Sequence, residues 1–360
     1  KIDPEAAATT TDNSSTPQTA SDDLFLYIAS GICYSGTGIT TFSATTASNQ
    51  ILKINTKTGA RTDLLADYFA PPANGGDSPI GLVDWDNDNL LALILNGATG
   101  RIEYVPKNYG NRSNFGITPG TATVLASTPR AMIKTTDGGL LILRTGFIEK
   151  LNSVGVRQGA PWVNSTLGAT CGTTNTLFTA VVTSATTSNN IIAAHAATSP
   201  NNRLVSLPAT GANGSCLAAQ AAPQTTAFPT AMAFDHNLGK LIVAYAGSAT
   251  TVDRNSIITY DYNETTGVFS NAQKIYDLSL YPATYSYSLF GISAITLDET
   301  NNELYIATAI STAATVVNYA IEKFKYDGSK IGTDNTHVLT KSTTPSFYNY
   351  GVDTKCISSM

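Results

Sequence analysis

Asp84, Asp86 and Asp88 occupy alternate positions of GLVDWDNDNLLALIL, residues 81–95, a density of carboxylates that could ligate calcium. A calcium loop of the EF-hand kind starting at Asp84 would require Gly in place of Asn89 and a bidentate acid in place of Leu95. Neither is present, so the three acids read as a turn, where Asp and Asn side chains bond the local backbone. Arg130 and Arg144 offer a different chemistry. One opens an apolar run and the other closes the next, so antiparallel pairing would set two guanidiniums side by side, fit for a carboxylate or phosphate, or equally for local ion pairs. His195 closes another apolar run; with no carboxylate neighbour evident to orient it, a hydrogen-bonded structural role is favoured over general-base work. His236 falls in a polar turn and His337 in an outer strand-like segment. No GxSxG elbow and no glycine-rich phosphate loop opening a helix occurs.

The aromatic residues carry the stronger signal. Tyr68 and Phe69 precede one apolar run, Tyr281, Tyr285, Tyr287 and Phe290 precede or open a second, and Phe347, Tyr348 and Tyr350 begin a third. Tyr34 lies in a long polar stretch after the first strand-like run. Tyrosine joins a large apolar face to a hydrogen-bonding tip, which suits recognition of a sugar or a peptide. Covering the core beneath long loops is the competing role for the same residues.

What would position these side chains is a repeat. SPIGLVDWDNDNLLALI from Ser78 is echoed by TPRAMIKTTDGGLLILR from Thr128, TLFTAVVTSATTSNNIIAAH from Thr176, FPTAMAFDHNLGKLIVAY from Phe228 and LFGISAITLDETNNELYIAT from Leu289, with a half unit, SFYNYGVDTKC, from Ser346. Each full unit is an apolar strand, a polar turn and a second apolar strand, and returns after about 50 to 60 residues. Both strands are apolar on successive residues, which predicts burial on two faces. A third and fourth strand follow in segments such as GFIEKLNSVGVRQG and SIITYDYNETTGVFSNAQKIYDL. Four antiparallel strands per unit make a propeller blade.

The termini complete the count. LFLYIAS at residues 24–30 matches a second strand with no first strand before it, and SFYNYGVD at residues 346–353 supplies the missing one. The expected fold is therefore all-β: a six-bladed β-propeller over residues 23–360, whose first blade combines residues 346–353 with 24–66 and so leaves no open sheet edge. The whole of this region resembles the six-bladed propellers of the NHL-repeat and gluconolactonase-like group, TYDYNETTGVFSNAQKI being similar to the outer hairpin of lactonase-type blades.

That resemblance implies a ligand site on the face carrying the loops that enter the first strands, called the top, where gluconolactonase-like enzymes hold a divalent metal with acids and amides. Here PIGLVDW, PRAMIKT, LFTAVVT, PTAMAF, FGISAIT and FYNYGV carry no Asp, Glu or His in their upper halves, so neither metal nor other cofactor is expected. The tyrosine-bearing loops would instead converge on one sector, spanning blades six, one and two. The reading that follows is a non-catalytic propeller binding a protein, peptide or glycan. The alternative is a hydrolase or lyase with Arg130, Arg144 and His195 at the channel mouth.

Composition sets the remaining bounds. The chain has 360 residues, 42% of them hydrophobic and only 13% charged, with a net charge of -5. Scattered basic residues exclude the footprint of a nucleic-acid binder, and no apolar run is long enough to span a bilayer. Cys33, Cys171, Cys216 and Cys356 lack CxxC spacing, which favours two disulfides and an oxidising compartment over zinc or redox chemistry. Membership of common units favours Cys33 with Cys356 and Cys171 with Cys216. Residues 1–22, rich in Ala, Thr and Ser, read as a low-complexity tether. A tether of this kind follows a removed export signal or a lipid anchor, or is an expression scar; the first two would put the protein in the periplasm, on the cell envelope or outside the cell.

Overall fold

The computed structural model describes residues 2–4, 24–31, 50–55, 61–63, 78–96, 99–116, 124–125, 129–144, 146–159, 161–163, 167, 171, 177–184, 189–196, 202–209, 216–223, 227–247, 256–277, 286–313, 316–327 and 356–359. Their strands run in chain order through six antiparallel sheets. The first holds β1 (Ile2–Pro4), β2 (Leu24–Gly31), β3 (Gln50–Asn55) and β4 (Arg61–Asp63). The second holds β5 (Ser78–Asp84), β6 (Asn89–Asn96), β7 (Thr99–Pro106), β8 (Ser113–Asn114) and β9 (Val124–Leu125). The third is β10 (Pro129–Lys134), β11 (Leu140–Arg144), β12 (Phe147–Leu151) and β13 (Trp162–Val163). The fourth is β14 (Leu177–Thr183), β15 (Ile191–Ala196), β16 (Arg203–Leu207) and β17 (Ala218–Ala221). The fifth is β18 (Ala227–Asp235), β19 (Lys240–Gly247), β20 (Ser256–Tyr262) and β21 (Phe269–Asp277). The sixth is β22 (Ser286–Asp298), β23 (Glu303–Ala313) and β24 (Val316–Lys325), and β25 (Cys356–Ser359) joins the first sheet beside β2.

The expectation of four strands in each of six blades is thus corrected. Only five of the sheets have four strands or more and count as blades, three of them with four and two with five, and the β22–β24 sheet has three strands among the described residues. The inner strand of the first sheet is expected from residues 346–353. Residues 346–353 lie outside the described residues, whereas β25 pairs with the end of β2, Cys356 opposite Gly31. Ile2–Pro4, at the start of the expected tether, pairs with the beginning of the same strand, Ile2 opposite Leu26.

Two-faced burial explains the unbroken apolar runs. Along β6, Leu91, Leu93 and Leu95 pack against Met132, Leu140 and Ile142 of the third sheet, while Leu90, Ala92 and Ile94 pack against Tyr27, Ala29 and Ile51 of the first. The same alternation recurs on β11, β15 and β19. Each second strand therefore sits between two neighbouring sheets, so the period-two pattern separates two cores rather than core from solvent.

The first strands share a second device. Their ladders shift at Pro79/Gly81, Pro129/Ala131, Phe178/Ala180, Pro229/Ala231 and Ile292/Ala294, one β-bulge at the same point of each unit. At two of them the central residue is a threonine that reaches the next sheet: Thr179 Oγ1 donates to the Pro229 carbonyl at 2.6 Å and Thr230 Oγ1 to that of Ile292 at 2.8 Å. The bulge thus frees a side chain to latch one sheet to its successor.

Close approach between sheets also fixes a glycine. A Cβ on Gly100 of β7 would stand 2.4 Å from Pro129 Cγ, a separation that real Cβ atoms do not adopt. Gly100→Ala is expected to cost about 1 to 3 kcal/mol through overpacking, read as a lowered urea midpoint with an unchanged slope.

Candidate functional site

The three acids that opened the sequence analysis belong to the turn between β5 and β6. Asp86 Oδ1 accepts the backbone N–H groups of Asp88 at 2.9 Å and Asn89 at 2.7 Å, and Asp84 pairs with Lys107 at 2.9 Å. Asp298 caps its own turn in the same way, accepting from the backbone of Thr300 and Asn301. Among the described residues no group of three potential ligands is placed to hold a metal ion.

At the opposite ends of the sheets, Arg144 pairs with Pro129 across the β10–β11 ladder, and Arg130 is the residue that the bulge between Pro129 and Ala131 skips. Both arginine side chains are buried. Arg130 is 5% exposed and Arg144 4%, and the Arg144 guanidinium donates to Glu149 Oε1 at 2.5 Å while lying over the Phe147 ring. Arg157 closes on the other oxygen of Glu149 at 2.7 Å. The local ion pair anticipated as the bland alternative is the arrangement seen for Arg144. His195 is 0% exposed, pairs across the ladder with Phe178 and meets that ring edge-on, with centroids 5.7 Å apart.

Of the aromatic candidates, Tyr287 lies on β22 opposite Ile310. Tyr34, Tyr68, Phe69, Tyr281, Tyr285, Phe347, Tyr348 and Tyr350 lie outside the described residues, as does Cys33. Cys171 and Cys216 form the expected disulfide.

An axial site at the turn ends was not anticipated. Residues of five first strands, β5, β10, β14, β18 and β22, line one cavity of about 300 Å³. Its walls are largely apolar, with Leu82, Met132, Met232, Phe234 and Ile295 all buried. Lys134, His236 and Glu299 stand at the mouth. His236 Nδ1 meets Glu299 Oε1 at 2.6 Å, and the same oxygen accepts the His236 backbone N–H at 3.1 Å. Lys134 Nζ donates to the Trp85 carbonyl at 2.5 Å and lies over the Trp85 ring, 5.1 Å from its centroid. Beside them, burial and, more weakly, the Glu299 charge push the Asp235 carboxyl above the ordinary carboxylate value, against the N–H bond from Leu238. The repeat alignment held the clue: Trp85, His236 and Glu299 each follow the residue that ends a first strand, Asp84, Asp235 and Asp298, and equivalent positions of a ring are neighbours.

Sheets packed face to face in chain order, with their first strands around a common axial cavity, define the chain as an all-β propeller. No protein-family model and no curated protein matches the sequence. Solved structures share the fold at low identity. A protein of unknown function from Bacteroides caccae aligns with a TM-score of 0.52 at 14% identity, over 87% of this chain and 94% of that one. A candidate 6-phosphogluconolactonase from Bacteroides fragilis aligns with a TM-score of 0.50 at 13% identity, over 88% of this chain and 82% of its own. A gluconolactonase from Xanthomonas campestris aligns with a TM-score of 0.42 at 10% identity, over 84% and 87%.

Proposed function

We propose that the protein is an exported, non-catalytic propeller that binds a protein, peptide or glycan through the tyrosine-bearing loops on the face opposite the β5–β6 turn. The observation that carries this reading is the adjacency of the strands those loops enter. β22 touches β25 and β25 touches β5, so the segments holding Tyr281 and Tyr285, Phe347 to Tyr350, and Tyr68 lead into neighbouring strands. β25 begins opposite Gly31, the end of β2, which supports entry of the last segment from the same side. Closure of the ring by β25 belongs to this proposal, as does a second disulfide: Gly31, opposite Cys356, is two residues of sequence from Cys33.

Burial of Arg130, Arg144 and His195 weighs against the hydrolase or lyase alternative, since a reacting group must reach its substrate. The Cys171–Cys216 disulfide supports export, because disulfides persist in oxidising compartments. Among the described residues no helix is long and apolar enough to cross a membrane. The test is a glycan and peptide array with the full chain. The triple substitution Tyr285→Ala, Tyr287→Ala and Tyr348→Ala should weaken the best hit by about a hundredfold if these rings are interface anchors. Undiminished binding by a folded triple variant would overturn the proposal.

A further inference from the structure

We infer that the axial cavity at the turn ends is a second, separate binding site, for a small amphipathic carboxylate whose apolar body fills the channel and whose carboxylate meets Lys134. The volume, about 300 Å³, is at the lower end of what small-molecule pockets enclose. Its interior offers Met132, Met232 and Phe234, and methionine adapts to irregular apolar shapes. The polar groups are confined to one end, so the site itself is amphipathic.

Charge at that end selects the head group. Glu299 is engaged by the imidazole and backbone of His236. Lys134 is held differently, by a carbonyl oxygen and an aromatic face, both uncharged, and no carboxylate pairs with it among the described residues. Its ammonium is thereby fixed at the mouth with donor capacity remaining, because an ammonium carries three N–H groups. A ligand carboxylate would complete a charge-assisted pair there, whereas a ligand ammonium would be repelled. The site lies where the first strands end, not where they begin, so its occupant does not depend on the reading proposed above.

Trp85 makes the test direct. The chain has two tryptophans, and the other, Trp162, is buried in the third sheet, so Trp162→Phe leaves Trp85 as the reporter beneath Lys134. Octanoate is the probe, with 1-octanol and octylammonium as neutral and cationic matches, followed by Trp85 emission and by calorimetry on the full chain. Octanoate should bind saturably, and Lys134→Met should weaken it about tenfold while changing 1-octanol affinity less than about twofold. Ala233→Leu, which fills the cavity wall, should abolish binding of both, with circular dichroism confirming the fold. No saturable octanoate binding, equal binding by Lys134→Met, retention by folded Ala233→Leu, or octylammonium binding as tightly as octanoate would each overturn the inference.

Discussion

Glu149→Ala is expected to destabilise the protein by about 3 to 5 kcal/mol, the range for removing one partner of a buried ion pair. The carboxylate is nearly inaccessible and sits between two guanidiniums, Arg144 at 2.5 Å and Arg157 at 2.7 Å. Arg157 is half exposed and would return to water at little cost. Arg144 has no such exit, being buried among the strands and flat against Phe147, so its charge would remain desolvated after losing the Glu149 carboxylate. The cost therefore comes from the arginine left behind more than from contacts the glutamate made. Two controls separate these terms. Glu149→Gln keeps the shape but loses the charge, and should fall between wild type and Ala. The double change Arg144→Met with Glu149→Leu removes both charges and should recover most of the loss, since apolar replacements of buried pairs are often neutral or better. Urea denaturation reads all three. A loss under about 1 kcal/mol for Glu149→Ala would mean that water reaches Arg144, and the channel-mouth chemistry considered for it would regain standing.

The same motif recurs. Glu103 is held by Arg101 at 2.6 Å and Arg112 at 2.7 Å, and Glu303 by Lys323 at 2.7 Å and Lys325 at 2.9 Å. Burial alone would raise the Glu303 carboxyl, but bonds from Lys323, Lys325 and Tyr305 outweigh it and hold the group below the ordinary value. In a chain so poor in charge, part of the small ionic complement is thus committed inside the sheets.

Much of this fold was legible because the repeat has one physical cause. A strand clamped between two sheets must be apolar on both faces, so LLALIL, LLIL, IIAA and LIVA announce the second strands without knowledge of the turn geometry. The turn acids were legible for a similar reason, since bonding to local backbone needs only residue type and position. Side-chain fate at the sheet ends was not. Arg130, Arg144 and His195 have the chemistry of a site, but burial depends on how neighbouring sheets close over a strand end, and no pattern within one unit reports that. The axial cavity was missed for the converse reason. Lys134, His236 and Glu299 come from three different units, each looks like an ordinary turn residue alone, and only their superposition around the axis brings them to one mouth. SFYNYGVD mimics the apolar first strands and lies outside the described residues. The strand seen beside the end of β2 is CISS, four residues too short to carry a pattern.

Removal of the Cys171–Cys216 disulfide should cost about 2 to 4 kcal/mol. The two cysteines are 45 residues apart, and that loop contains β14, β15 and β16, three of the four strands of one sheet. In the chain-entropy account a cross-link of that span restricts the unfolded ensemble by about 4 kcal/mol, an upper figure that native strain reduces. The folded side has its own interest in the bond. Cys171 is buried among Trp162, Leu167 and Phe178 at the seam of the third and fourth sheets, and its carbonyl accepts a 2.8 Å hydrogen bond from Arg203 of β16. Cutting the link should therefore loosen the fourth sheet before the others, seen as faster amide exchange across β14 to β17 with β18 to β21 unchanged. The double variant Cys171→Ser with Cys216→Ser should lose this stability; a double variant as stable as the oxidised protein would show that the bond constrains nothing. If the loss is as large as expected, a reducing compartment would leave the seam between these sheets under-stabilised.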